Sequence, residues 1–362
     1  MKKMLCLLII IFVISVFPTS LQAKAGVGQI SFLVKSSSYS LFESVLTIEV
    51  DSLVETLLEA KTVTKLEDVP FSNHYILIND DEFIQIFIMD EHGNIYNLQE
   101  KTMISVSKND TNKIKTYFEL LDSKHFGSLM SWDEVKDLIP RYSKFKITDL
   151  ETGLSFKAQR RAGSSHADVQ PLTENDTKIM KKIYNGKWSW KRRAILIHYK
   201  GQTIAASMHG MPHGGGAIQN RFPGHFCIHF KDCVTHRTKQ RDLSHHIMIY
   251  KAAGLIKPFV EGLTADEVVE AFFISLNQQD YDLLKLIYQD ATMSIVKNIN
   301  HIRIVKKHHP LIDEPLQYEI PVTFIVQEKN GPEYEFSFDF IVTRTSPVDK
   351  WQLKDIPIEV IP

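Results

Sequence analysis

The chain has 362 residues, enough for more than one domain, of which 44% are hydrophobic and 23% charged. That balance excludes a disordered, collagen-like or polytopic membrane protein. Its 42 Lys plus Arg against 43 Asp plus Glu give a formal net charge of -1, which excludes a protein built to neutralise nucleic-acid phosphates over its whole surface.

Residues 1–25 stand apart. Lys2 and Lys3 precede an apolar run from Leu5 to Phe17, and small residues follow up to Ala25. This is the pattern of a secretory signal peptide, with cleavage expected after Ala23 or Ala25. The run is shorter than the roughly 20 residues a spanning helix needs, and no later segment is apolar enough to span. The mature chain is therefore expected to be exported, extracellular or wall-associated, with no membrane span after cleavage. Cleavage removes Cys6 and leaves Cys227 and Cys233. In an oxidising compartment these two either pair or leave a thiol free for chemistry, and a turn at Lys231-Asp232 keeps the pairing open.

Residues 26–130 read as an N-terminal α+β domain of unknown role. A strand is expected at 29–35, and 42–60 fits both the strand and the helix period. Residues 75–78, 83–89 and 95–98 alternate as strands, with Asp90-Glu91-His92-Gly93-Asn94 as a turn before the last. Thr111 to Asp122 predicts an amphipathic helix with Ile114, Tyr117, Phe118 and Leu121 on one face.

The segment 131–256 predicts a mostly β module with short helices: a strand pair around Asp149 to Gly153, a helix over Glu174 to Tyr184, and a hairpin turning at Lys200-Gly201-Gln202. Nine of the 15 histidines fall between His166 and His246. After it, 264–288 predicts two helices broken at Gln278-Gln279-Asp280, with Thr264 and Glu267 as a capping box. Strongly alternating strands over 317–328 and 333–344 follow, then a shorter one at 350–355. The expected fold class is α+β in three domains, the last spanning 261–362. Its helices followed by a meander resemble the cone-shaped domain of nuclear transport factor two-like proteins. That resemblance implies a partner- or ligand-binding appendage, with its protein partner unknown.

The window 207–246 concentrates the chemistry. If 225–230 is a strand, His225, Cys227 and His229 share one face, opposite Phe226, Ile228 and Phe230. A thiol between two imidazoles is how an activated cysteine nucleophile is made. His209 and His213 lie one loop upstream, and Gly214-Gly215-Gly216 permits close backbone approach, with amides near Gly224 as oxyanion donors.

Stretches 159–168, 171–177, 187–193, 205–214 and 224–236 (GHFCIHFKDCVTH) resemble a module of exported bacterial proteins found beside cell-wall-binding repeats. The resemblance covers about residues 131–254 and implies a role at the cell wall without naming a reaction. His209-Gly210 and Cys227-Ile228 also resemble the active-site motif of the L,D-transpeptidases, which implies Cys227 as nucleophile and His209 on a strand end. Gly224-His225-Phe226 and His229 depart from that motif.

The leading expectation is a peptidoglycan-modifying cysteine acyltransferase, with Cys227 as nucleophile, His209 or His229 as base, and no cofactor. A zinc-dependent hydrolase of wall peptides is the alternative, drawing ligands from His213, His229, His236 and His245, since neutral imidazoles suit zinc. A wall-binding module without catalysis is the third. The stretch Lys157 to Arg193 carries ten Lys or Arg against Asp168, Glu174 and Asp176. With Trp188 and Trp190 interleaved, it suggests a cell-wall glycan or peptide partner contacted by Trp190, Arg192 and Arg193, and nucleic acid fits an exported neutral chain poorly.

Overall fold

A computed structural model describes residues 29–80, 83–234, 240–329 and 331–357. The expected signal segment and His236 lie outside the described residues. The chain is a mixed α+β protein, as its patterning predicts, and it divides into two compact units where three domains were expected. Residues 29–35 and Glu43–Leu121 make the first; Ser36–Phe42 joins everything from Asp122 onward in the second, so the expected central and C-terminal domains fall together.

In the first unit, β1 (Gln29–Lys35) and β2 (Glu43–Glu49) form a hairpin, and α1 (Asp51–Leu58) follows directly. The two-period ambiguity of 42–60 is thus real: the segment is a strand and then a helix. β3 (Thr62–Lys65), β4 (His74–Asp80), β5 (Phe83–Met89), β6 (Ile95–Asn97) and β7 (Thr102–Ile104) complete an antiparallel sheet of order β2-β1-β4-β5-β6-β7-β3. Alternation puts Ile30, Phe32 and Val34 on one buried face. There α2 (Lys108–His125) packs on them, Phe118 meeting Phe32 edge-on at 5.5 Å. The Asp90 carboxylate accepts hydrogen bonds from the His92 and Asn94 amides, the Asn94 side chain and the Tyr96 hydroxyl, which fixes the turn before β6.

The second unit opens with α3 (Trp132–Leu138), started by a Ser131–Glu134 capping box. Six antiparallel strands then close into a barrel: β8 (Lys144–Asp149), β9 (Ser155–Ala162), β10 (Ala167–Pro171), β11 (Arg192–Tyr199), β12 (Gln202–His209) and β13 (Phe226–His229). Their order round the barrel is β10-β13-β12-β11-β8-β9. The helix α4 (Glu174–Ile183), with a Thr173–Asp176 capping box, lies between β10 and β11 in sequence. Phe145, Ile147, Phe156, Ala158, Val169, Ile195, Ile197, Ile204, Ala206, Met208, Phe226 and Ile228 form one buried cluster. Alternate residues from all six strands can meet in one cluster only inside the barrel. It follows that Asp168, Ser207, His209, Cys227 and His229, of opposite parity, face outward.

Outward residues of a barrel are normally wet, but Ser207, His209, Cys227 and His229 are buried, with α5 (Leu243–Ala252) packed over β11 and β12, while Asp168 stays partly exposed. Asp242 caps α5 by accepting from the His245 amide, and its other carboxylate oxygen takes Arg192 of β11 at 2.8 Å. The helix is thereby tied to the barrel wall at its first turn.

After α6 (Ile256–Glu261), α7 (Ala265–Gln278) starts at the expected Thr264–Glu267 capping box and ends on Gln279 in the left-handed region, φ 60°. α8 (Tyr281–Ile287) and α9 (Met293–Asn298) follow. A sheet of β14 (Ile299–Lys307), β15 (Ile312–Glu314), β16 (Gln317–Glu328), β17 (Glu333–Thr343) and β18 (Gln352–Leu353) completes the unit. Phe272 and Phe273 of α7 pack on Phe340 and Phe324 of the sheet at 5.4 and 5.3 Å. No helix among the described residues is long and apolar enough to cross a membrane.

Candidate active site on the barrel wall

The site is built where β10, β12 and β13 pair. Asp168 stands opposite Cys227, and Ser207 opposite His229, so one outward stripe carries an acid, a thiol and an imidazole. The expected single face of His225, Cys227 and His229 is present, though β13 is only four residues long and His225 precedes it.

The group nearest the thiol is His213, not the expected bases. Cys227 Sγ lies 3.4 Å from His213 Nε2. The other nitrogen of that ring, Nδ1, is 3.2 Å from the Met211 carbonyl. A carbonyl can only accept, so Nδ1 carries the proton and the Nε2 lone pair faces the thiol.

What delivers His213 there is a crossing of two loops. The His213 amide donates to the His225 carbonyl at 3.0 Å and the His225 amide to the His213 carbonyl at 2.9 Å. Two glycines permit it. Gly214 has φ +58° and a Cβ there would fall 2.5 Å from the His225 ring; Gly224 has φ +119° and its Cβ would fall 2.4 Å from the His213 carbonyl oxygen. The amide expected as an oxyanion donor at Gly224 is spent on the Phe222 carbonyl, and that of His225 on His213.

On the far side of the thiol, Asp168 Oδ1 is 3.9 Å from Sγ, 3.6 Å from His166 Nε2 and 3.8 Å from His225 Nε2. Burial first, and then the Asp168 charge, push the Cys227 thiol well above its ordinary range. The protein thus stores a thiol here and not a thiolate. Cys233 is separate: it is buried in the barrel core, and its sulfur accepts from the Phe230 amide at 3.2 Å. Both cysteines are free, which overturns the disulfide alternative.

His209 and His229, the expected bases, belong to a neighbouring imidazole cluster. His229 stacks between His245, at 3.8 Å, and His166, at 4.5 Å between ring centres. His245 Nδ1 is 2.9 Å from Ser207 Oγ, while Nδ1 of His209 and of His229 has no hydrogen-bond partner. Burial first, then the charge of Arg192 and the neighbouring ring of His213, hold His209 down to about 2. Burial and neighbouring rings likewise hold His229 and His245 far below the ordinary imidazole range. These rings are neutral, and none of the three lies at hydrogen-bond distance from Cys227.

The expected zinc ligands are divided in the same way. His213 is at the thiol, His229 and His245 are in the stack, and His236 is outside the described residues. Among the described residues, the histidines and acids that do converge are His209 and His213 with Cys227, and His166 and Asp168 with Cys227; in each group the donor atoms lie within 4.8 Å of one another.

Of the expected substrate contacts, Trp190 is half-exposed, with its ring 4.7 Å from His209 and 5.6 Å from His213, so it forms the rim. Arg192 is tied to Asp242. Arg193 is committed elsewhere: its guanidinium binds the buried Asp149 through two nitrogens and reaches Glu151 at 2.8 Å. Such a bidentate buried pair is structural, which removes Arg193 from the rim. The residues that sequence reasoning placed least well, His213 and Asp168, reach the thiol through the loop crossing and a cross-strand pair; the flanking glycines at 214 and 224 were the available signal. No protein-family model matches the chain, and no curated protein matches it.

Proposed function

We propose that the protein is an exported cysteine acyltransferase acting on cell-wall peptides, with Cys227 as nucleophile and His213 as general base. The observation that carries the reading is the 3.4 Å approach of Sγ to an imidazole nitrogen whose lone pair is aimed by the Met211 carbonyl. Because the resting thiol is held protonated by burial and by Asp168, attack and proton loss occur together. As Sγ bonds to the substrate carbonyl carbon, its proton passes to His213 Nε2. The imidazolium returns that proton to the departing amine, the C–N bond breaks, and a thioester remains on Cys227. An acceptor amine or water then takes the acyl group, with His213 removing the incoming proton. The choice of wall peptide as substrate is supported by the signal-like leader, the resemblance of 131–254 to wall-associated modules, and the aromatic rim at Trp190.

The test is intact-mass analysis of the purified protein after incubation with muropeptides in chelator. An acyl adduct confined to Cys227 is expected; it should be lost in Cys227→Ala and slowed by about 100-fold or more in His213→Ala, as removal of a general base does. A protein whose Cys227 titrates as a free thiol yet forms no adduct with any muropeptide would overturn the assignment.

A further inference from the structure

We infer that Cys227, His209 and His213 also form a zinc site, and that the metal and the acyl group compete for the same sulfur. The inference rests on the nucleophile reading only for its consequence; the binding site stands on geometry alone.

One ring nitrogen of His209, one of His213 and the Cys227 sulfur lie mutually within 4.8 Å. Zinc held at about 2.0–2.1 Å from nitrogen and 2.3 Å from sulfur places tetrahedral ligand atoms about 3.5 Å apart. The 3.4 Å between Sγ and His213 Nε2 already matches one such edge. The same distance serves a proton or a metal, since either sits between a sulfur and a nitrogen lone pair. His209 supplies a second argument. It is only 4% exposed, and its Nδ1 has no hydrogen-bond partner. A buried imidazole that makes no hydrogen bond through one nitrogen costs stability unless something occupies it. The donor set, two imidazoles and one thiol, is the borderline-soft kind that zinc takes, and three protein ligands leave a fourth position open.

This set differs from the one expected from sequence. His229 and His245 stack beyond the thiol and stay out of the site, and their place is taken by His209 and by the sulfur. Asp168, 3.9 Å from Sγ on the opposite side, is the rival ligand with His166. The set with His209 is favoured because His209 lacks another use for Nδ1, whereas the Asp168 carboxylate already lies between His166 and His225. Binding is balanced as Zn2+ plus the thiol giving a zinc thiolate and one proton, which leaves to solvent. With its sulfur lone pair on the metal, Cys227 no longer attacks a carbonyl; the zinc-loaded protein is a masked form, and removal of zinc returns the protonated thiol that attacks.

The test uses the purified protein titrated with zinc and, separately, with cobalt, in parallel with alkylation of Cys227 by iodoacetamide. One equivalent of cobalt should give a thiolate-to-metal absorption band that disappears in Cys227→Ser. One equivalent of zinc should release one proton and protect Cys227 from alkylation. His209→Ala should weaken zinc binding by at least the roughly 10- to 100-fold seen when even an outer partner of a metal ligand is lost, while Asp168→Asn should leave the cobalt band in place. Absence of the band, or an equal zinc affinity in His209→Ala, overturns the site; a band lost in Asp168→Asn but kept in His209→Ala assigns the metal to the rival set and overturns it as written. Circular dichroism of each variant separates lost ligation from lost folding. The two readings fail separately: a thioester in chelator with no metal binding removes the zinc site alone, and metal binding with no thioester in chelator removes the acyltransferase alone.

Discussion

Lys251 and His245 project from the same helix, α5, into two buried polar environments of opposite kind. Around Lys251 every charged group is hydrogen-bonded. Its ammonium donates to Asp280, which also accepts from the Tyr39 hydroxyl at 2.8 Å and the Leu283 amide at 3.1 Å. The neighbouring Asp282 accepts from the amide and hydroxyl of Ser38 at 2.7 and 3.0 Å. Around His245 there is one hydrogen bond, to Ser207, and a stack of neutral rings with orphaned nitrogens on His229 and His209. A buried network that is fully paired holds chain segments together, here Ser36–Phe42 against α5 and α8. A buried cluster with unpartnered ring nitrogens is held by packing and stacking and not by polar pairing.

The largest effect should come from breaking the paired cluster. Lys251→Met leaves Asp280 and Asp282 buried without their cation, and the second unit should lose about 3–5 kcal/mol, read as a lower urea midpoint at unchanged slope. A loss under about 1 kcal/mol would mean the network is no stronger than a surface pair and would erase the contrast.

The same cluster sets a pH dependence. Burial alone would raise Asp280, but the Lys251 charge and the bonds from Lys251 and Tyr39 bring it below the ordinary carboxylate range. Its contribution to stability is therefore present above its unfolded value near 4 and is lost as pH falls through the lower folded value. Asp282, raised by burial and by Asp280, works in the opposite sense, and Lys251, raised by Asp280 and Asp282 against its own burial, holds its contribution until strongly alkaline pH. Asp280→Asn should accordingly be less stable than the parent at pH 7 by a gap that closes on acidification. A gap independent of pH down to 3 would show that Asp280 acts by shape and not by charge.

Much of this architecture was legible in periodicity. The strands of 75–98, the hairpin at Lys200-Gly201, the capping box at Thr264 and the paired strands 317–328 and 333–344 are local features, written where they act. Barrel closure was not, because it depends on β10 meeting β13 and β8 meeting β11, pairings between distant segments that alternation alone does not specify. The site shows the same division. Period two placed His225, Cys227 and His229 on one face, and this was right, but adjacency on a face does not choose a base. His213 is in contact with the thiol because two glycines let its loop cross that of His225, and His229 is out of contact because α5 brings His245 over it.

The smallest effect sharpens the contrast most. His229 lies between two parallel rings, makes no hydrogen bond through Nδ1 and is held neutral. If the cluster is stabilised by stacking and not by polar pairing, His229→Phe keeps the stack, removes the orphaned nitrogen and adds only modest volume. The change in unfolding free energy should then stay within about 1 kcal/mol in either direction, near the cost of a volume-conserving core swap. A loss of about 3 kcal/mol, the size expected when a hydrogen-bonded buried group is removed, would show that the imidazole nitrogens of this cluster are engaged in the folded protein. The distinction between a cluster held by polar pairing and one held by stacking would then have to be abandoned.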